Sequence, residues 1–176
     1  MAVQDVLGAV CDRLVGGMMF HSDHADLCRF LGVEWLAKLH DDGFLHDSKA
    51  HCKVKRMAVR LTDMMVSSGR QERTHALDQW RGMRTTDVTC DKRNQGIADA
   101  MDDWCEWEES AASTYRTAYS RLVSMGQMVL ADEMRRLAKD TEKELANAKS
   151  IRLEMRACDY DIAHVMEMGA EISVTS

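Results

Sequence analysis

The chain of 176 residues contains no proline, although about 5% proline is usual in proteins. Proline lacks a backbone N–H and breaks helices, so its absence permits long, uninterrupted helices. Glycine occurs only ten times, while methionine (fourteen residues), alanine, leucine, arginine, glutamate and lysine, all good helix formers, are frequent. We therefore predict an all-α fold, and the length of the chain predicts a single domain over residues 1–176.

Long apolar runs and paired cysteines are also missing. A run of about eighteen apolar residues, which a membrane-spanning helix requires, is absent, so we expect no membrane partner. The six cysteines include no C-x-x-C pair, and the N-terminus lacks the pattern of a signal peptide. We therefore expect reduced thiols in a cytoplasmic protein. The formal net charge of −6 at pH 7 disfavours nucleic acid as a partner.

Apolar residues recur at helical spacing in four long segments. These segments cover approximately residues 3–31, 33–66, 97–125 and 129–172. The pattern allows a new helix N-cap near Ser22 in the first segment, and it predicts that the end of the fourth bends or separates into a terminal helix. Residues 68–96 lose the periodicity, which predicts a long crossover that contains a short helix at 74–80.

Acidic side chains occupy positions on the apolar, inward faces of these segments. An ionised carboxylate is costly to bury unless a cation compensates it. Asp47 and His51 lie one helical turn apart, so they can offer two ligands to the same ion, and Asp140 and Glu144 repeat this spacing. A set dominated by carboxylates with one imidazole suits iron or manganese better than zinc. The sequence therefore predicts a metal site whose candidate ligands are Asp12, Asp47, His51, Glu108, Asp140 and Glu144.

The same positions also allow a core without a metal ion. An acidic residue on a predicted inward face can reflect an error in helix register, most simply for Asp12. The basic residues near enough in sequence to pair with the carboxylates are Arg13, Lys139 and Lys143. A second polar cluster contains His21, Asp23, His24 and Asp26, which His40 or His46 can join, and we interpret it as solvated histidines at a helix N-terminus rather than as a surface metal site.

Four motifs resemble segments of the ferritin-like superfamily, the di-iron carboxylate four-helix bundles. Residues 35–39 (WLAKL) and 46–51 (HDSKAH) resemble the second helix of ferritins. Residues 105–108 (CEWE) resemble the third helix, and residues 137–144 (LAKDTEKE) resemble the fourth. The resemblance implies an antiparallel four-helix bundle with a long crossover between the second and third helices, and it puts Asp12 at the ligand position of the first helix. It also implies one or two iron or manganese ions in the bundle core, held by the six candidate ligands.

The function that the resemblance implies is oxidation of ferrous iron by dioxygen, a ferroxidase-type activity, if two ions lie side by side. The chain departs from the ferritin pattern, since Asp replaces Glu at three ligand positions and Ala50 occupies the place of the histidine. These departures favour an alternative, a non-enzymatic helical interaction protein that keeps a vestigial metal site. Exposed apolar faces on long helices further predict a homo-oligomer, at least a dimer, and the resemblance adds a larger cage as an alternative.

Overall fold

The computed structural model describes residues 2–63, 65–66 and 78–172. These residues form helices and no strand, which confirms the predicted all-α class. The α-helices of this part of the chain are α1 (Val3–Leu31), α2 (Glu34–Thr62), α3 (Cys90–Ser124), α4 (Met128–Ala157) and α5 (Ile162–Ile172), and two 3-10 turns, Asp78–Trp80 and Thr85–Asp87, precede α3. None of the helices described has both the length and the apolar character that crossing a bilayer demands. Residues 68–77 of the predicted crossover, with most of its predicted short helix, lie outside the described residues.

The helix ends follow local backbone chemistry, and some differ from the sequence prediction. Gly32 ends α1 in a left-handed conformation (φ 89°), which glycine adopts easily because it has no Cβ. The additional N-cap that the sequence allowed at Ser22 does not form, since α1 continues through this residue. Helix α3 begins at Cys90, earlier than predicted, because the side chain of Thr89 accepts a hydrogen bond from the backbone N–H of Lys92 (3.3 Å).

The apolar core is divided into two clusters along the long helices. The first cluster takes its helical residues from segments 20–37, 97–105 and 148–168. The second takes them from segments 6–14, 50–58, 111–122 and 130–138. Between the two clusters, each long helix has a stretch without a buried member of either cluster, at 15–19, 38–49, 106–110 and 139–147. Polar side chains of these stretches, and of residues that flank the α1 stretch, meet in the interior, and this polar layer positions the candidate site.

The short helix α5 packs against the beginning of α2. The indole Nε1 of Trp35 donates a hydrogen bond to the backbone carbonyl of Val165 (2.8 Å), and Val165 itself is fully buried. Gly169 lies against the Trp35 ring, where a Cβ would overlap with ring atoms. Asp159 and Tyr160 have positive φ angles of 52° and 54° and form the turn between α4 and α5. The prediction that the last stretch separates into a terminal helix is therefore confirmed.

Candidate functional site

Charged and hydrogen-bonding side chains from all four long helices converge in the polar layer between the two apolar clusters. They are Arg13 and His21 from α1, His46 and Asp47 from α2, Glu108 from α3, and Glu144 from α4. The layer thus contains three of the six ligands predicted from the sequence, namely Asp47, Glu108 and Glu144. Because these three come from different helices, only the tertiary fold brings them together.

The three carboxyl groups are close enough to disfavour one another's ionisation. Burial raises the pKa of Asp47 to about 8, and the neighbouring Glu144 carboxylate adds to this rise. Burial likewise raises the pKa of Glu108 to about 8, with further contributions from Glu144 and Asp47. The pKa of Glu144 is also raised, mainly by burial. At neutral pH the layer therefore retains protons that exposed carboxyl groups would have lost.

Glu108 is the most deeply buried of the three, with 3% of its surface exposed. Trp104, one turn earlier on α3, donates a hydrogen bond from its indole Nε1 to Oε1 of Glu108 (3.1 Å). Nε2 of His21 lies 3.5 Å from the same oxygen. Burial lowers the pKa of His21 to about 3, so this imidazole is neutral and does not neutralise the carboxylate of Glu108.

His46 connects α2 to α4 within the layer, although it was not predicted as a site residue. Its Nδ1 lies 3.4 Å from Oε1 of Glu144 and 3.9 Å from Oδ1 of Asp47. Neighbouring residues on a helix point about 100° apart, so Asp47 can face Gly17 on α1 while His46 faces α4. The signal in the sequence was the position of His46 beside a predicted ligand.

Arg13 supplies the positive charge of the layer. Its guanidinium lies 3.6 Å from the centre of the Trp107 ring and donates a hydrogen bond to the backbone carbonyl of Trp107. The charge of Arg13 lowers the pKa of both Asp47 and Glu108, but burial outweighs it in each case. The layer therefore already holds one cation, bound on α1 beside a predicted ligand position.

Asp140, a predicted ligand, lies outside this group of side chains. Its Oδ2 accepts a hydrogen bond from Nη1 of Arg136 on the same helix (2.7 Å), and Nζ of Lys143 lies 3.9 Å from its Oδ1. Asp140 contributes to raising the pKa of Glu144, so it is near the layer, but its carboxylate is directed to cations of α4.

Asp12 and His51 also lie apart from the three carboxyl groups. Asp12 is half-buried near Cys11, whose pKa it helps to raise after the larger effect of burial. His51 is half-buried, and burial and the charge of Lys55 lower its pKa. Neither residue is among the charges that shift the pKa of Asp47, of Glu108 or of Glu144. The pKa shifts therefore link Asp47, Glu108 and Glu144, but not Asp12 or His51.

The histidines of the second predicted polar cluster are not solvated. His21 and His24 are 3% and 1% exposed. Nδ1 of His24 donates to the backbone carbonyl of Phe20 (2.9 Å), and the imidazole stacks on the Phe20 ring with 3.8 Å between centroids. The interpretation as a helix N-terminus was wrong because α1 runs through these residues and carries both side chains into the interior.

A cavity of about 220 Å³ adjoins the polar layer. It is lined by His21, Leu39, Asp42, Gly43, His46, Trp104, Glu144 and Asn147. In the conformation described, no three His, Cys, Asp or Glu side chains of the described residues are grouped closely enough to hold an ion. The donor types fit iron or manganese, and the cavity has room for an ion and water, so binding would require side-chain rotation within it. A larger groove of about 520 Å³ between α1 and α3 is lined by none of the six side chains that converge in the layer.

Gly17 on α1 leaves the space that the Asp47 carboxyl group occupies. A Cβ at position 17 would overlap with Oδ2 of Asp47, so the carboxyl group or the helix must shift. We expect Gly17→Ala to lower the free energy of unfolding by about 1–3 kcal/mol. The matched control is Gly8→Ala on the same helix, where a Cβ meets no atom within 4 Å and should stabilise by up to about 1 kcal/mol. Urea unfolding followed by circular dichroism measures both, and equal effects would contradict the close approach of Asp47.

Comparisons with known proteins identified no relative of this chain. No protein-family model matches the chain, and no curated protein is significantly similar to it.

Proposed function

We propose that the protein binds one iron or manganese ion in the polar layer, with Asp47, Glu108 and Glu144 as its carboxylate ligands. The observation that carries this proposal is the grouping of three carboxyl groups, from α2, α3 and α4, beside a cavity: the charge of Glu144 raises the pKa of both Asp47 and Glu108, and Glu108 is buried. Carboxyl groups whose charges oppose the ionisation of their neighbours are stabilised by keeping protons or by sharing a cation. Carboxylate oxygens with imidazole nearby suit iron and manganese. When bound, such an ion supplies Lewis acidity or a redox centre.

The side chains of the layer have separate parts in this proposal. Asp47 and Glu108 hold protons at neutral pH and release them when the ion binds, since a carboxyl group ligates as the carboxylate. Trp104 keeps Oε1 of Glu108 in place by its hydrogen bond. Because protons and the ion compete for the same oxygens, we expect the affinity for the ion to rise with pH up to about 8.

For the architecture, we propose a ferritin-like antiparallel four-helix bundle with the crossover between α2 and α3. Its support is the pattern of connections: two residues, 32–33, join α1 to α2, and residues 125–127 join α3 to α4, whereas α2 and α3 are separated by residues 63–89. The resemblance to ferritins also implies a second ion and the oxidation of ferrous iron. Since the remaining predicted ligands lie outside the layer, we propose one ion and do not extend the proposal to this oxidation.

The test is metal analysis together with calorimetric titration by Mn²⁺, and by Fe²⁺ without oxygen. We expect about one ion per chain at pH 8, and at least tenfold weaker binding in Asp47→Asn and in Glu144→Gln, each of which removes an anionic ligand. Asp140→Asn is the matched control, because Asp140 pairs with Arg136 and should change the affinity little. A wild-type protein that binds no Mn²⁺ at pH 8, or equal losses in all three variants, would count against the proposal.

One observation favours a second candidate function, a non-enzymatic helical interaction protein with a vestigial metal site. Arg13 already places a guanidinium near Asp47 and Glu108, and protonated carboxyl groups need no further cation. In that case the layer only fixes the packing of the helices, and the protein acts by binding a partner through its surface. We propose a homo-oligomer of at least two chains for this candidate, measured by sedimentation in metal-free buffer. A monomer at micromolar concentration would remove this part of the proposal.

A further inference from the structure

Two imidazole rings that were not predicted as ligands face the carboxyl groups of the polar layer. Nδ1 of His46 lies 3.4 Å from Oε1 of Glu144, and Nε2 of His21 lies 3.5 Å from Oε1 of Glu108. Both separations exceed the usual length of a hydrogen bond between nitrogen and oxygen, about 2.7–3.2 Å. Two ligand atoms that each lie about 2.1 Å from one ion are roughly 3.0–3.5 Å apart when they subtend 90–110°. Each of the two separations is therefore compatible with a pair of neighbouring ligands of one ion.

A third imidazole orients the ring of His21. Nδ1 of His21 and Nδ1 of His40 lie 3.1 Å apart, and both residues are buried. Only one of these two nitrogens can carry the proton between them. When it is His21 that donates from Nδ1, its Nε2 has a free lone pair, and this nitrogen faces Glu108. Such a hydrogen bond on the outer nitrogen is how proteins commonly fix a metal-binding histidine.

His40 does not complete a hydrogen-bond network of its own. Its Nε2 is buried and has no hydrogen-bond partner in the part of the chain that the structure describes. A buried polar atom left without a partner is unusual and calls for a reason beyond packing. The geometry therefore supports one role for His40, which is to hold the ring of His21 through the contact between their Nδ1 atoms.

The backbone of α2 is shaped to accept the His21 ring. A Cβ at Gly43 would lie 2.7 Å from Cε1 of His21 and 2.8 Å from each of its ring nitrogens. Glycine at this position therefore lets the imidazole lie directly against α2. Gly17 does the same on α1 for the carboxyl group of Asp47, so each helix makes room for a polar group of the other.

We infer that His21 and His46 are imidazole ligands of the ion in the polar layer, and that His40 is a positioning residue that sets the tautomer of His21. This inference rests on the proposed function, which named only the carboxylates. The complete set is then two imidazoles with three carboxylates, all from the long helices. Imidazole ligands favour transition metals over Mg²⁺ and Ca²⁺, so the site should select Mn²⁺ or Fe²⁺ against an excess of Mg²⁺.

Pulsed electron paramagnetic resonance on the wild-type protein tests the ligands directly. The full chain is prepared with ¹⁵N-labelled histidine and loaded with Mn²⁺, and the spectrum reports the nitrogens bound to the ion. We expect two coordinated imidazoles and no displacement of Mn²⁺ by a hundredfold excess of Mg²⁺. Bound Mn²⁺ whose affinity depends on Asp47, with no imidazole coupling, would overturn the inference and leave the proposed function standing. A protein that binds no Mn²⁺ at all would overturn both.

Variants separate ligation from structure. His21→Gln and His46→Gln should each weaken Mn²⁺ binding at least tenfold and remove one imidazole coupling, whereas His51→Gln should do neither. His40→Gln should weaken binding about 10- to 100-fold and alter one of the two couplings, which a purely structural role would not do. Gly43→Ala should reproduce the effect of His21→Gln without removing a ligand, because it displaces the ring. Unchanged couplings in His21→Gln would overturn the inference.

Discussion

Replacing Asp47 by Asn is expected to raise the free energy of unfolding of the metal-free protein by about 2–4 kcal/mol at pH 8.5. The rise in the pKa of Asp47 from 3.8 to about 8 corresponds to an upper bound of about 6 kcal/mol, which relaxation of the protein reduces. Burial is the main cause of this shift, and the Glu144 carboxylate adds to it. The neutral amide of Asn can occupy the same position with no cost of ionisation.

The pH dependence follows from the direction of the shifts. Between about pH 4 and pH 8, the folded protein holds protons on Asp47 and Glu108 that the unfolded chain has already released. The free energy of unfolding therefore falls as the pH rises through this window, and it levels off above about pH 8. Asp47→Asn removes one of the two groups, so its advantage over the wild type should be smaller at pH 6.5 than at pH 8.5.

Urea unfolding with a chelator present, at pH 6.5 and pH 8.5, measures this effect. Asp132→Asn serves as the control, since Asp132 is 62% exposed and pairs only at the surface with Arg135. That variant should change the free energy of unfolding by less than about 0.5 kcal/mol at either pH. A loss of stability in Asp47→Asn at pH 8.5 would mean that the carboxylate is ionised and paired in the metal-free fold.

The helices could be predicted from the sequence because their signals are local. The absence of proline and the apolar periodicity define the helical segments, and Gly32 marks an end that requires a left-handed backbone. The start of α3 was placed too late, since the cap at Thr89 precedes the apolar pattern. The four-helix-bundle arrangement stays a proposal, because single-chain periodicity shows which face is inward but not which helix it meets.

The candidate site was only partly predictable, because ligands on a helix depend on angle as well as on spacing. Residues four apart differ by about 40° around the helix axis. In the pair on α2, Asp47 reaches the layer and His51 lies outside the group of carboxyl groups. In the pair on α4, Glu144 reaches the layer and Asp140 lies outside this group. Even a small rotation of the helix decides between them, and the sequence pattern does not resolve that rotation.

Whether the histidines of α1 and α2 reach the layer depends on how these two helices are aligned, and a single sequence does not give this alignment. The signal that could have found them is glycine within a helix, where it costs about 1 kcal/mol relative to alanine and so suggests a packing reason. Gly17 and Gly43 both lie inside helices, and each makes room for a polar group of the facing helix, Asp47 or His21. Interior glycines would thus have pointed to the polar layer from both sides.

Replacing Arg13 by Gln is expected to tighten Mn²⁺ binding at least tenfold, which corresponds to about 1.4 kcal/mol. The guanidinium lies close enough to Asp47 and Glu108 to lower their pKa, and the same charge must repel a divalent ion bound to these carboxylates. In metal-free buffer the variant should lose about 1–2 kcal/mol of stability, because the contacts of Arg13 with the ring and the carbonyl of Trp107 are lost. Calorimetric titration and urea unfolding measure the two effects.

Arg116→Gln is the control for this experiment, since Arg116 is 59% exposed and pairs with Glu142 on the surface. It should change the Mn²⁺ affinity less than twofold, because solvent screens its charge. The wild type and Arg13→Gln together also distinguish the two candidate functions. Binding in both proteins, tighter in the variant, supports the metal site, whereas binding in the variant alone would mean that Arg13 is the resident cation of a vestigial layer. Equal affinities in the two proteins would contradict the position of Arg13 beside the site.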